Sequence, residues 1–310
     1  MHLFLTIVLF LILGAPSVVG SEISIEHEGL QLNAQLEKSA TWPSGPTLLI
    51  THGTLSHNRS EIISTLQTLF LEYDISSLAI NLSLGLDNRH GPYDCAIPHR
   101  HQLQDAVSEL DAWLQWLSGQ QVETVIPLGH SRGGNQTAWF ATQQNNELVK
   151  AMILVAPALW NSEASATSYK RSYQVPLAPV VEKAHQLLES GGGDTLLAEV
   201  DFLYCPATSA SAASIISYYG EDPRKHTPTL LESNDLPVLV IGGSEDTVVP
   251  NVEQAFAGVA ARQPTTRVIE IDGADHFFRD LYADELVEHA VDFIAALPAA
   301  PAISDTGSAR

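Results

Sequence analysis

Ser131 lies in a Gly-x-Ser-x-Gly pattern between an apolar run and a helical pattern. The motif spans residues 129–133, and the apolar run spans 124–128. A tight turn from a strand into a helix strains the central serine, and small residues two positions to either side relieve the steric crowding. The hydroxyl then stands exposed beside a helix N-terminus, which favours developing negative charge. The pattern predicts a nucleophilic serine, with an inert serine in a glycine-rich turn as the alternative.

A serine hydroxyl is a weak nucleophile, so Ser131 needs a base and a group that orients the base. Asp246 and His276 each come just beyond an apolar run, at 237–241 and 267–271. All three side chains therefore fall at the carboxyl ends of predicted strands, in the order Ser, Asp, His, where open α/β sheets place their sites. We predict that His276 is the base and that Asp246 is its partner.

Three other acids, Glu245, Asp272 and Asp275, lie close to this predicted pair in the sequence. We choose Asp246 because the turn after the run 237–241 would deliver it to the carboxyl edge of the sheet. Asp275 immediately precedes the base and would be strained in reaching Nδ1 of its own neighbour.

The elements that position these residues alternate along the chain. Short apolar runs, typical of strands covered on both faces, are separated by helical patterns. This alternation predicts an α/β fold, a mostly parallel twisted sheet with helices on both faces. The predicted strands are 47–51, 77–81, 124–128, 151–155, 237–241 and 267–271, after an opening hairpin of 23–28 and 30–37, and the predicted helices are 60–72, 102–117 and 135–146.

The alternation is interrupted once, from about residue 159 to 235. This stretch has no strong strand run, but it has helix-like pieces at 180–189 and 195–203. Because it lies between two core strands, we interpret it as an inserted helical lid and not as an independent domain. We expect the lid to be mobile and to control access to the site.

The N-terminal residues have the pattern of an export signal. The apolar run 3–13 is interrupted only by Thr6, and small residues follow before Ser21. A membrane span needs about 20 residues, so this run fits a signal peptide better, although Lys and Arg are absent before it. We predict a signal peptide at 1–20, one α/β domain at 21–297, a flexible tail at 298–310, and a secreted or periplasmic protein. An uncleaved N-terminal membrane anchor is the alternative.

The charge balance excludes several partners. The chain of 310 residues has 15 Lys and Arg against 36 Asp and Glu, a formal net charge of −21. Such a surface repels phosphate, so nucleic acids and anionic lipid headgroups are poor partners. The two cysteines exclude a zinc site of four thiolates. In an oxidising compartment Cys95 and Cys205 could pair, but a buried free cysteine is also common and the sequence does not bring them together.

A second cluster of reactive side chains, His90, Cys95, His99 and His101, lies between residues 81 and 101. Its spacing matches no zinc pattern, and a serine-based site does not require a metal. We therefore expect no metal here. We interpret this stretch as a long loop that follows a core strand and lines the mouth of a pocket.

The motifs together resemble the α/β-hydrolase superfamily over residues 21–297. The matching features are His-Gly-Thr at 52–54, the serine motif at 129–133, Gly-x-x-Asp-x-x-Val-Pro at 243–250 and Gly-Ala-Asp-His-Phe-Phe at 273–278. The resemblance implies an oxyanion hole formed by the backbone N–H groups of Thr54 and Arg132. It also implies acyl transfer, in which Ser131 attacks a carbonyl, His276 carries the proton and Asp246 holds the imidazole tautomer, with no cofactor.

The serine motif itself, Gly-His-Ser-Arg-Gly-Gly, is similar to that of chlorophyllase-like esterases, a likeness too short to identify a substrate. Two roles stay open for Arg132: it could anchor the turn through a salt bridge or bind an acidic group of the substrate. We expect His130 to pack under the turn and not to act as the base.

The first hypothesis is thus an exported serine hydrolase that cleaves small-molecule or lipid-like carboxylic esters, with no stable protein partner implied. A thioesterase, amidase or peptidase that uses the same triad is the alternative. A non-catalytic hydrolase-like binding protein is the third hypothesis, and the complete Ser, Asp and His set argues against it. Fold alone does not decide among substrates.

Overall fold

One eight-stranded sheet organises the protein. The computed structural model describes residues 20–144 and 146–298. The predicted signal peptide, apart from Gly20, and residues 299–310 of the predicted tail lie outside the described residues. Within the described part of the chain, no helix is both long enough and apolar enough to cross a membrane.

The strands follow the order β1-β2-β4-β3-β5-β6-β9-β10 across the main sheet. The first two neighbouring pairs, β1 with β2 and β2 with β4, are antiparallel, and the other five pairs are parallel. The strands are β1 Ser21–His27, β2 Leu30–Glu37, β3 Thr47–Thr51, β4 Ser76–Asn81, β5 Val125–His130, β6 Met152–Val155, β7 Leu196–Phe202, β8 Cys205–Ser211, β9 Val238–Gly243 and β10 Thr266–Ile271.

Helices cover both faces of this sheet, and side chains of each inner strand alternate between two cores. Leu48 and Ile50 of β3 face one core with α1 and α9, whereas Leu49 faces the other core with α2, α3 and α8. The predicted fold class is therefore confirmed. The α-helices are α1 Glu61–Glu72, α2 Asp105–Gly119, α3 Arg132–Gln143, α4 Ser162–Tyr173, α5 Ala178–Glu189, α6 Ala212–Tyr219, α7 Thr227–Leu230, α8 Val252–Arg262 and α9 Leu281–Ala295.

The insertion between β6 and β9 differs from the expected helical segment. The predicted helix at 195–203 is wrong, because β7 occupies this stretch and pairs with β8 as a separate antiparallel hairpin. Apolar residues at 196, 200 and 203 mimic helical spacing. Register shifts and a positive φ of 52° at Glu199 break the alternation that would have revealed a strand. Helices α4 and α6 were also not predicted.

A disulfide fastens this hairpin to the long loop after β4. Cys95 and Cys205 are bonded, with their Cα atoms 5.3 Å apart. His99 extends the hairpin: its N–H donates to Ser209 O at 2.8 Å, and its carbonyl accepts from Ser211 N–H at 2.9 Å. The insertion is thus attached to the core at this point, and its role as a mobile lid stays a prediction.

Glu109 is a buried carboxyl group on α2, 4% exposed. It accepts hydrogen bonds from Ser83 N–H at 2.9 Å and Ser83 Oγ–H at 2.6 Å. Burial raises the pKa of Glu109 to about 7, against the opposing effect of the two Ser83 hydrogen bonds. The folded protein therefore binds this proton more tightly than the unfolded chain does.

Removal of the disulfide should lower stability. The bond closes a segment with a sequence separation of 110 residues, so Cys205→Ser should lower the free energy of unfolding by about 3–5 kcal/mol. Urea titration measures this change, and Cys95→Ser should give the same value. A loss below about 1 kcal/mol in both variants would contradict the structural role of the bond.

Glu109 should make stability depend on pH. The pKa of Glu109 is higher in the folded protein than in the unfolded chain, so protonated Glu109 stabilises the fold. This stabilisation is complete below the unfolded pKa near 4.5 and is lost as the pH rises through about 7. Between pH 5 and 8, the free energy of unfolding of the wild type should fall by about 2–3 kcal/mol relative to Glu109→Gln. If the free energies of unfolding of the two proteins changed in parallel with pH, folding would not raise the pKa of Glu109.

Candidate active site

Ser131 occupies the sharp turn between β5 and α3. Its φ of 59° and ψ of −124° place it in a conformation that L-residues rarely adopt. The flanking glycines allow close approach of the backbone. A Cβ at Gly129 would strike the Gly133 carbonyl and the Thr137 hydroxyl, and a Cβ at Gly133 would strike the His52 carbonyl. The spacing of the motif thus has a direct steric cause.

The loops after β9 and β10 bring Asp246 and His276 together. His276 Nδ1 lies 2.7 Å from Asp246 Oδ2, and the other oxygen, Oδ1, accepts from the N–H groups of Val248 at 2.7 Å and Val249 at 2.8 Å. Burial alone would raise the pKa of Asp246, but the hydrogen bonds from His276 and the two amides outweigh it, so the pKa is lowered. Asp246 is held as a carboxylate that faces the imidazole N–H.

The competing acids make other contacts. Asp275 Oδ2 pairs with Arg279 Nη1 at 2.6 Å, and Asp272 Oδ1 accepts from Ser244 Oγ at 3.3 Å. Glu245 is exposed. Among the described residues, only the carboxylate of Asp246 hydrogen-bonds to the His276 ring.

Ser131 and His276 share a cavity of about 250 Å³. Both residues are mostly buried, 8% and 5% exposed. No hydrogen bond within the described residues joins Ser131 Oγ to the imidazole; such bonds are often long before substrate binds. The lining residues are Gly53, Thr54, Ser56, Ser60, Glu61, Ile62, His130, Ser131, Tyr204, Val248, His276, Phe277 and Arg279.

His130 supports the loop that carries His276. Its Nε2 lies 2.9 Å from the His276 carbonyl oxygen, and the two rings lie 4.8 Å apart. Burial lowers the pKa of His130 to about 4, so the neutral ring donates its Nε2–H to that carbonyl. The ring is therefore placed to hold the loop, as expected for a residue packed under the turn.

The two amides expected to form the oxyanion hole are available. Thr54 N–H and Arg132 N–H have no hydrogen-bond acceptor among residues 20–144 and 146–298. Arg132 also has no carboxylate partner in that part of the chain, so the possible anchoring salt bridge is absent there. Instead Arg132 Nε donates to Thr54 Oγ1 at 2.9 Å, which joins the two residues directly.

A buried group that the sequence analysis missed holds the turn at 52–54. His52 Nδ1 lies 2.9 Å from Gly53 O, and its Nε2 accepts from Leu82 N–H at 3.1 Å. Burial, with a smaller effect from Arg89, lowers the pKa of His52 to about 3. Arg89 in turn donates to Leu82 O and to Asn81 Oδ1. The only sign of this support in the sequence is Arg89, a basic residue in the loop that follows β4.

The four reactive side chains of the long loop do not converge. His90 lies 3.2 Å from Glu22, and Cys95 is in the disulfide. His99 Nδ1 contacts His101 Nε2 at 3.1 Å, and burial lowers the pKa values to about 4 and about 3. In the described chain, no group of three His, Cys, Asp or Glu residues could hold a metal. None of the four lines the cavity at Ser131, so our interpretation of this loop as the mouth of the pocket is wrong.

Comparison with known proteins places the chain in a family. The family described as serine aminopeptidase, S33 (Hydrolase_4) matches residues 83–279. The chain belongs to this family and hence to the α/β-hydrolase superfamily, and it is a serine hydrolase. No curated protein matches the chain.

Solved structures of other hydrolases share the fold. Est1E from Butyrivibrio proteoclasticus, solved with ferulic acid bound, is 18% identical with a TM-score of 0.64, over 88% of this chain and 99% of that one. The Pyrococcus furiosus esterase Pf2001 is 14% identical with a TM-score of 0.62, over 90% and 92%. The α/β-hydrolase GrgF from Penicillium sp. sh18 is 15% identical with a TM-score of 0.62, over 89% and 98%.

The choice of acid can be tested with two neighbouring carboxyl groups. Asp246→Asn should lower kcat about 10⁴-fold, because the amide favours the wrong imidazole tautomer. The matched variant Glu245→Gln should change kcat less than about threefold, since Glu245 is exposed. Steady-state kinetics on one ester, with circular dichroism to check folding, measures both. A large loss of kcat in Glu245→Gln together with almost no loss in Asp246→Asn would reverse the assignment of the acid.

Proposed function

We propose that this protein is an exported serine hydrolase that cleaves carboxylic esters, with Ser131, His276 and Asp246 as its triad. The observation that carries the proposal is the 2.7 Å contact between His276 Nδ1 and Asp246 Oδ2, beside a serine at a strained turn in the same cavity. A base whose second nitrogen is held by a buried carboxylate is what a serine nucleophile requires.

In this proposal the reaction proceeds through an acyl-enzyme. Ser131 Oγ attacks the ester carbonyl while its proton passes to His276 Nε2, and Asp246 stabilises the imidazolium. The amides of Thr54 and Arg132 donate to the oxyanion that forms. The carbon–oxygen bond to the alcohol then breaks, and the alcohol leaves with the proton from His276. Water, deprotonated by His276, hydrolyses the acyl-enzyme and regenerates Ser131.

The charges at the cavity favour esters over peptides with a free N-terminus. An aminopeptidase needs a carboxylate to hold the substrate amine. Glu61 is the only acid among the lining residues, and its Oε2 lies 3.7 Å from Arg279 Nε. This carboxylate is 76% exposed and pairs with an arginine, so it is a weak site for a substrate amine. That supports an ester substrate within a family that is named for an aminopeptidase.

The size and lining of the cavity favour a small substrate. Its volume of about 250 Å³ lies below the usual range of about 300–1,000 Å³ for ligand pockets. Tyr204, Val248 and Phe277 line it and are 65%, 51% and 42% exposed. Tyr204 lies in the turn between β7 and β8, so the insertion contributes to the site through the hairpin that the disulfide fastens. We infer that this hairpin influences acyl selectivity.

The proposed export rests on the predicted signal peptide at 1–20 and gains support from the disulfide. Stable disulfides form in oxidising compartments such as the periplasm or the medium. Mass spectrometry of the protein from its native host should find an N-terminus near residue 21; a chain that begins at Met1 would reject cleavage.

A substrate panel tests the proposed activity. The purified protein should hydrolyse short-chain esters faster than the matched thioesters, and at least 10-fold faster than the matched amides, because an amine is a poorer leaving group than an alcohol. Ser131→Ala should lose about 10⁴–10⁶-fold in turnover, whereas Ser168→Ala, at an exposed serine of α4, should not change it. Faster turnover of thioesters or amides would favour the alternative reactions. Hydrolysis of none of them would favour a non-catalytic protein.

A further inference from the structure

Arg132, the residue after the nucleophile, places a cation beside Thr54, a residue that lines the cavity. Its side chain is half-buried, Nε donates to Thr54 Oγ1 at 2.9 Å, and the guanidinium carbon lies 5.2 Å from the centre of the Tyr218 ring. The Tyr218 hydroxyl is held in turn by His101 Nδ1 at 2.9 Å. Thr54 lines the cavity together with Ser131. The guanidinium is therefore held by a hydrogen bond to a residue that lines the cavity of Ser131.

Most donors of this guanidinium are without protein acceptors. A guanidinium has five N–H donors, and Nε–H is the only one that has an acceptor among the described residues. Two more deeply buried cations differ in this respect. Arg89 donates to Leu82 O, Gly91 O and Asn81 Oδ1, and Lys225 Nζ donates to the carbonyls of Ser217 and Gly220. Among the described residues, neither Nη group of Arg132 has an acceptor, so both can donate to a ligand.

The charge of Arg132 acts on two buried neighbours, although the whole chain has a net charge of −21. Burial lowers the pKa of Lys225 to about 8, with Arg132 as the next cause. Burial also lowers the pKa of His101 to about 3, with smaller effects from His99, Arg89 and Arg132. No described carboxylate lies within salt-bridge distance of the guanidinium. A fixed, half-buried guanidinium with a free fork is suited to bind a carboxylate through two parallel hydrogen bonds.

We propose that Arg132 binds a free carboxylate of the substrate, so that the preferred substrates are short esters that carry a carboxylate group. This inference rests on the proposed ester hydrolysis and adds the substrate class. Because the acidic surface repels anions at long range, the preference should arise from contacts in the bound state.

The test compares the ratio of kcat/KM for anionic and neutral esters. Monoethyl succinate and acetoxyacetate carry the charge on the acyl and alcohol sides, and ethyl 4-methylpentanoate is a neutral ester shaped like the first. The wild type should prefer at least one anionic ester. For that ester, Arg132→Gln should lower the ratio of kcat/KM to that of the neutral ester about 10–100-fold, as expected for a charge-assisted contact. Arg132→Lys, which keeps the charge but loses the fork, should give an intermediate ratio.

Thr54→Val is the matched control. It removes the hydroxyl that holds Arg132 Nε but keeps the guanidinium, so it should lower the ratio of anionic to neutral ester less than Arg132→Gln does. An unchanged ratio in Arg132→Gln would overturn the proposal and would leave Arg132 as a residue that only positions Thr54. The proposed function is tested separately by the neutral ester. The wild type should hydrolyse it, and Ser131→Ala should not.

A binding measurement keeps the inference testable even if no ester is hydrolysed. Calorimetry with monoethyl succinate should give a Kd for Ser131→Ala at least about 10-fold tighter than for the double variant Ser131→Ala, Arg132→Gln. Equal affinities, or no binding to either protein, would overturn the inference. Circular dichroism checks that both variants are folded.

Discussion

The hydrogen bond between Asp246 and His276 is the contact on which the rest of the site depends. It joins loops from two adjacent parallel strands, β9 and β10, and a buried carboxylate is kept charged only because His276 and two backbone amides donate to it. A buried charge without such donors is costly. The strand order, the helices on both faces and the support of the His276 carbonyl by His130 all serve to hold this one pair beside Ser131.

The second constraint is steric and lies where β5 meets its neighbour β3. The strained turn at Ser131 brings Gly133 so close to the carbonyls at the end of β3, and Gly129 so close to the first turns of α3, that only glycine fits at both positions. Thr54 follows this end of β3, and its hydroxyl accepts from Arg132 Nε at 2.9 Å. Buried His52 and Arg89 lie behind this turn, where they contact carbonyl and amide oxygens and have no carboxylate partner among the described residues. Preorganised backbone amides need no rearrangement when negative charge develops.

Much of the sheet could be predicted from the sequence, because parallel strands buried on both faces appear as continuous apolar runs. β3 begins and ends where predicted, and the other core strands differ by one or two residues at their ends. The hairpin of β7 and β8 could not be predicted, since the apolar residues of β7 have a helical spacing that its irregular pairing with β8 accommodates. The candidate triad was visible because each member follows such a run. The role of Arg89 and the pairing of Cys95 with Cys205 depend on contacts between distant segments that no local pattern reports.

The central claim is that Ser131 is a nucleophile activated by His276 and Asp246, and labelling with a fluorophosphonate tests it most directly. This reagent phosphonylates activated serines and leaves ordinary hydroxyls unmodified. The account predicts one adduct per chain, which peptide mass spectrometry assigns to Ser131, and no adduct in folded His276→Ala. An unlabelled wild type, an adduct on another serine, or full labelling of Ser131 in His276→Ala would contradict it.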